Sequence, residues 1–177
     1  MSKENLEKVK STHVLEMIRL AYEFCTYTES IDKKELTEIL SFYQKLLPLL
    51  YLKGSMLPEL EASDESFNER YVSEEHWERI FMSVKSKFGK DEYFWLVDSN
   101  NDTLKASIAE HIADIYQDMK DFMVLFQNSR LAAKENAVIE IRKFYAIHWG
   151  LRLSTIMPVI HRLNYAIEIA ENEDTNF

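Results

Sequence analysis

Glycine and proline are scarce in this 177-residue chain, with three of each. Ordinary usage would put about 12% of a chain in those two types. Strand-rich folds draw on them for their many tight turns, so their scarcity points to few, long elements. Cysteine is scarcer still, with Cys25 alone. A disulfide framework and a thiolate zinc site within one chain are therefore excluded. No apolar run approaches the ~18 residues that suggest a spanning helix. The charged start Met1-Ser-Lys-Glu-Asn-Leu-Glu-Lys8 has no apolar stretch of the secretory kind. With so few glycines there is no phosphate-cradling loop and no dinucleotide fingerprint. The chain also lacks a G-x-S-x-G elbow, an H-E-x-x-H pair and any Glu-x-x-His, which removes the motifs of common hydrolases, zinc proteases and di-iron bundles.

What is present is globular: 46% hydrophobic and 29% charged residues, with enough length to bury a core unaided. The formal net charge is −9, the wrong sign for gripping nucleic acid or an anionic membrane through the overall field. The expectation is one domain over residues 1–177, cytoplasmic, with no cofactor, no nucleic acid and no membrane contact. A protein partner is compatible with this reading, and so is either a monomer or a homodimer.

Apolar spacing predicts the helices. Leu6, Val9, Met17, Leu20 and Phe24, with His13 between, mark one amphipathic helix over about residues 3–28. A second is expected from a capping box of Asp32 and Glu35, with a kink at Pro48 and a stop at Gly54. Residues 58–72 read as a solvated acidic loop, in which Glu59, Glu61, Asp64, Glu65 and Glu69 face one Arg70. Ser73 should cap a third helix, which Gly89 ends. Tyr93–Val97 has strand-like composition but no second such run to pair with, so an extended connector is expected. The Asn100–Asp102 cluster should start a fourth helix, whose stripe of Leu104, Ile108, Ile112, Ile115, Met119, Phe122 and Phe126 is the most regular. A last helical region over about 134–170 should be kinked or broken near Gly150 or Pro158, with a frayed tail at 171–177. The predicted fold is all-α, an antiparallel bundle of five to six helices.

Chemistry concentrates on the fourth helix. Glu110, Asp114 and Asp118 recur at i, i+4, i+8, so three carboxylates share one face, with Asp121 close by. Like charges at that spacing repel by a few tenths of a kcal/mol per pair unless something answers them. From Arg130 to Arg162 the last helical region carries six Arg or Lys against two Glu, and also His148 and His161. One reading is that the acids pair with Arg142, His148 or Arg152 and fix helix register. The other is a polar pocket holding a divalent cation or a polar ligand, with Glu110, Asp114, Asp118 and His148 as metal-ligand candidates. Glu35 and Glu38 have the E-x-x-E spacing of all-helical nucleotide pyrophosphatases, but that spacing also occurs at Glu4/Glu7, Glu75/Glu78 and Glu168/Glu171. Cys25 reads as a small buried thiol, His13 as a core histidine bonded to a carbonyl, and Trp77, Trp95 and Trp149 as core aromatics.

The run Ser107-Ile-Ala-Glu-His-Ile-Ala-Asp-Ile-Tyr-Gln-Asp-Met-Lys120, followed by His148-Trp-Gly150, resembles a bacterial family of small helical proteins known as a domain of unknown function. The likeness is clear over about 92–163 and looser over the first two helices. It implies acids at Glu110, Asp114 and Asp118 and a shared contact with His148, Trp149 and Gly150. The family pattern has a further acid where this chain has His111, and often a second histidine where it has Arg152. Placing a fixed cation beside the acids favours ion pairing over metal binding. The expected polar cluster is thus Glu110, Asp114, Asp118, His148, Trp149 and Arg152. With no complete catalytic constellation, the leading functional reading is a non-enzymatic interaction or structural module. The alternatives are a divalent-metal-dependent hydrolase, a nucleotide-directed one included, and a sensor of a small polar ligand.

Overall fold

A computed structural model describes residues 2–98 and 100–174, with side chains from 3 to 98 and 100 to 166. The described chain is mostly helical but not purely so. Its elements in order are α1 (Ser2–Val9), α2 (Thr12–Glu29), α3 (Leu36–Ser55), α4 (Glu74–Phe88), β1 (Tyr93–Val97), β2 (Thr103–Ser107), α5 (Ile108–Phe126), α6 (Leu131–Ile147) and α7 (Trp149–Asp174). Short 3₁₀ turns at Ile31–Lys33 and Gly89–Asp91 join α2 to α3 and α4 to β1. No helix among the described residues is long and apolar enough to cross a membrane.

The hairpin corrects the all-α expectation. β1 and β2 pair antiparallel, with Tyr93 opposite Ser107, Trp95 opposite Lys105 and Val97 opposite Thr103. β2 was hidden because Thr-Leu-Lys-Ala-Ser lacks the apolar alternation of a half-buried strand. Leu104 also stands four residues before Ile108, which mimics a helical step. Asn100–Asp102 is therefore the hairpin turn rather than a helix start. Asp98 Oδ1 accepts from the backbone N–H of Asn100 (2.8 Å) and Asp102 (2.9 Å), while Asn101 takes φ 64, a conformation asparagine tolerates. Helix α5 instead begins after Ser107, whose hydroxyl accepts from Glu110 N–H at 3.0 Å. The same hydroxyl donates to the buried Glu92 carboxylate, and Glu92 also accepts from Ala109 N–H at 3.2 Å. A carboxylate at that helix end suits the positive pole of the dipole.

Other boundaries differ from the expected ones for identifiable reasons. The first helix breaks at Lys10–Ser11 into α1 and α2. The capping box does not form: Asp32 accepts from Ser83 Oγ (3.1 Å) instead, and Glu35 makes no side-chain cap at the start of α3. Pro48 lies inside α3, which runs through to Ser55. Ser73 does cap α4, and Gly89, at φ 51, follows its last residue. The last helical region breaks at His148, just before Gly150, whereas Pro158 sits within a continuous α7. Helix α7 extends to Asp174; the rest of the tail lies outside the described residues.

Helix α5 holds the centre, packing against α2, α4, α6 and α7. Its buried set includes Ile108, Ile112, Ile115, Tyr116, Met119 and Phe122. Trp149 is fully buried, as is Cys25 nearly so, and burial pushes the Cys25 thiol well above its ordinary range. Trp95 is not a core residue: it is 67% exposed on the outer face of the hairpin. His13 is not bonded to a carbonyl either, since its Nδ1 is enclosed without a partner.

The 58–72 segment is irregular but far from simply solvated. Glu135, buried on α6, accepts from Ser63 N–H (2.8 Å), Ser63 Oγ (2.5 Å) and Asn5 Nδ2 (2.9 Å). Asn136 Nδ2 donates to the Asp64 carbonyl at 2.6 Å. Asp121 Oδ1 accepts from the N–H groups of Tyr71 (2.8 Å) and Val72 (2.9 Å). Asn5 Nδ2 also donates to the Glu61 carbonyl at 3.0 Å, so the loop is tied to α1, α5 and α6 along its length.

Candidate functional site

The acid row of α5 meets the α6–α7 break. Because α6 ends at Ile147 and α7 restarts at Trp149, His148 stands in non-helical backbone (φ −138, ψ −90). Its N–H still donates to the Phe144 carbonyl (2.8 Å), and its carbonyl accepts from Arg152 N–H (3.0 Å). Its side chain is thereby aimed at α5. His148 Nδ1 lies 2.6 Å from Asp118 Oδ2, and Nε2 faces Asp114 Oδ2 at 3.7 Å. Arg152, one turn into α7, lies 2.7 Å from Asp114 Oδ2 and 3.9 Å from Glu110 Oε1.

Two contributors to the cluster come from elsewhere. Trp77 Nε1 on α4 donates to Asp114 Oδ1 at 3.0 Å. Arg70 Nη1 stands 3.4 Å from Asp118 Oδ1 and 3.1 Å from Asp121 Oδ2, with its guanidinium 4.4 Å from the centre of the Phe144 ring. The Trp77 indole N–H needed a polar partner wherever it was enclosed. The sequence signal for Arg70 was its isolation as the one cation among five loop acids. Arg142 does not join; it lies 3.9 Å from Glu59. Trp149 does not touch the acids: its Nε1 donates to the Ile141 carbonyl at 2.9 Å, so it supports the break from beneath.

The electrostatics follow from burial and pairing together. Asp114 and Asp118 raise His148 from 6.5 to about 9, so the ring is an imidazolium at neutral pH. Asp114 acts from 3.7 Å as a charge neighbour, whereas Asp118 holds a true hydrogen bond. For Asp114, burial alone would push the carboxyl up, but His148, Arg152 and the Trp77 indole outweigh it and hold it down. The Asp118 side chain is only 1% exposed, and each of its oxygens faces a cation. Glu110 is the open member, half-exposed and with a single distant partner.

A second polar chain runs along another face of α5. Tyr116 Oη donates to Glu29 Oε1 (2.7 Å), His76 Nε2 lies 2.9 Å from the same Oη, and Lys120 Nζ lies 2.7 Å from Glu29. Burial lowers His76, so it is a neutral donor there. The i, i+4 spacing of α2 alone cannot reveal that Glu29 meets Tyr116 and Lys120, both on α5.

A model of the family described as Domain of unknown function (DUF5063) matches residues 8–166. The chain belongs to this family. Among solved structures, the crystal structure of protein BF1032 from Bacteroides fragilis is similar, with 30% identity and a TM-score of 0.81. That similarity covers 89% of this chain and 96% of that one. No curated protein matches. The DUF5063 description names no activity, and neither does that of BF1032.

Within this DUF5063 domain, the His111 position acts structurally. His111 is buried, its Nδ1 pairs with the Ser107 carbonyl at 2.9 Å, and burial lowers its pKa. It therefore brings no negative charge to the acid row. Among the described residues, no three His, Cys, Asp or Glu side chains come together so as to hold a metal ion. The reason is geometric. Asp114 and Asp118 engage opposite nitrogens of the His148 ring, so the three groups do not surround one point.

Proposed function

We propose that the chain is a non-enzymatic helical interaction module, in which the cluster of Asp114, Asp118, His148, Arg152 and Arg70 is a structural latch. The observation that carries this reading is the pairing of Asp118: one oxygen meets His148 at 2.6 Å and the other meets Arg70 at 3.4 Å. The pairs tie α5, the α6–α7 break and the loop into one register. Ionic clusters of this kind specify an arrangement more than they stabilise it. In this reading the helices form an antiparallel bundle around α5. The setting is cytoplasmic, which suits a lone buried thiol, and the partner is a protein rather than nucleic acid or membrane.

Thermal unfolding with magnesium, manganese or zinc at saturating concentration tests the latch against a metal centre. A ligand held at 100 times its dissociation constant would add about 2.7 kcal/mol. The latch reading expects no such rise. A metal-dependent rise in Tm that disappears in a folded Asp114→Ala variant would overturn it, as would turnover lost in the same variant.

A further inference from the structure

Strand edges left open in a folded protein are usually guarded by charge, proline or a bulge, and the outer edge of β1 has none of these. The hairpin is bracketed by two backbone bonds, from Ile108 N–H to the Glu92 carbonyl and from Asp98 N–H to the Asp102 carbonyl. With Tyr93 opposite Ser107, these make the even-numbered residues of β1 the ones that bond to β2. The N–H and C=O of Tyr93, Trp95 and Val97 therefore point away from β2, and among the described residues they have no hydrogen-bond partner. The side chains of the same residues stand on the outer face, 46%, 67% and 69% exposed. Tyr-Phe-Trp-Leu-Val carries no charge and no proline, and its register runs unbroken; β2, by contrast, has Lys105 as a guard. We propose that β1 pairs antiparallel with β1 of a second copy of this chain, about a two-fold axis at Trp95, joining the two hairpins into one continuous sheet.

The edge is self-complementary in that arrangement. Trp95 lies opposite its own copy, and Tyr93 of each chain lies opposite Val97 of the other. Every outward N–H and C=O of both edges then finds a partner, whereas a slipped register leaves groups at the strand ends unpaired. On the outer face, indole meets indole and the Tyr93 ring meets Val97, pairs of the kind that favour strand association. Charge fits the same geometry. At the Tyr93 end stand Lys105 and Lys85, 3.9 and 6.0 Å from the ring centre, with Lys90 exposed just before β1. Asp91 is half-buried there, and Glu92 is buried and bonded to Ser107 and Ala109. Past the Val97 end stand Asp98 and the exposed Asp102, with no ion pair among the described residues. Antiparallel pairing lays the acidic turn of each copy beside the cationic end of the other, which locally offsets the −9 that each copy carries. A parallel arrangement would set like ends together. One short strand per copy buries less than the usual interface of about 1,600 Å², so the dimer is weak and reversible.

Analytical ultracentrifugation of the full chain, from micromolar to millimolar concentration, tests this. The mass should rise from the 21.0 kDa of one chain towards twice that value and stop there, since a two-fold contact closes on itself. Backbone amide shifts on raising the concentration should centre on Tyr93, Trp95 and Val97. Trp95→Lys sets two like charges on the axis and should weaken association about tenfold or more. Val97→Pro removes an outward N–H without touching the bonds to β2, and should weaken association to a similar degree. Leu52→Lys, on α3 and 52% exposed, should associate as the parent does. All three variants should keep the parent's circular dichroism, because the replaced side chains are exposed. A chain that stays monomeric throughout, a mass that climbs past two chains, association that either β1 variant leaves unmoved, or equal loss in Leu52→Lys would each overturn the proposal. None of these residues belongs to the latch, so a metal-dependent rise in Tm would remove that reading and leave the dimer result standing.

Discussion

At the scale of single residues, the latch divides its members by what they leave behind when removed. Asp118 is the most enclosed, and its loss strands the His148 imidazolium and one contact of Arg70. Removing one partner of a buried pair costs about 3–5 kcal/mol. Because Arg70 is part-exposed and still has Asp121, Asp118→Ala should fall at the lower end, about 3 kcal/mol by urea denaturation. A variant as stable as the parent would show that the pairs are incidental. His148 also sets a pH limb. Its folded pKa of about 9 exceeds the ordinary 6.5, so the folded state binds that proton more tightly. Its contribution is fully present below pH 6.5 and is lost as pH rises through 9. Cys25 and Tyr116, also raised, begin to act only above their ordinary 9.0 and 10.0. His76 and His111 are lowered and weaken the fold on the acid side instead. Stability measured between pH 6.5 and 9 should therefore decline in the parent and be flatter in His148→Gln. Equal slopes would refute the assignment.

At the scale of elements, Gly54 illustrates what local pattern does and does not carry. Its place near the end of an apolar stripe reads as a helix stop, and α3 does end one residue beyond it, at Ser55, but the stripe says nothing of what the glycine faces. A Cβ there would lie 2.3 Å from the Trp149 ring and 2.5 Å from that of Tyr145. The glycine is the seat that lets α3 approach the α6–α7 break. Gly54→Ala should accordingly destabilise by about 2 kcal/mol, the usual size of overpacking a filled core. An unchanged urea midpoint would mean the indole can move aside freely. Gly150 works similarly, its Cβ falling 2.2 Å from the Tyr145 carbonyl oxygen, and there sequence spacing did mark the break. The difference is physical. A glycine that interrupts a long periodic run is visible in that run, whereas one that admits a distant indole is visible only once the helices meet. β2 was illegible for the same reason, because its partner strand rather than its own residues makes it a strand.

At the scale of the whole molecule, five helical stripes were readable because each buries one face at a period set by the helix itself. The acid row and Arg152 were readable because both lie on such faces, and His148 because it stands four residues before Arg152, although it proves to sit at the helix break. Arg70, Trp77 and the ties of the 58–72 loop were not, since an irregular segment has no period to reveal what it touches. That loop gives the last prediction. Glu135 gathers Asn5, Ser63 N–H and Ser63 Oγ onto one carboxylate, and these bonds hold its pKa down against its burial. Glu135→Ala would leave three donors without their acceptor, and each enclosed one costs about 1–3 kcal/mol unless it reaches water. Lifting residues 61–64 off α6 is the simplest way for those donors to reach water. Helix α5 and its neighbours would keep their packing, because none of their buried side chains depends on Glu135. Cleavage by a glutamate-specific protease should therefore quicken at Glu59, Glu61, Glu65 or Glu69, with far-UV circular dichroism little changed. If the cleavage rate stays at the parent value, the loop is held by Asp121 and Asn136 alone; if helicity collapses instead, Glu135 belongs to the core rather than to the loop.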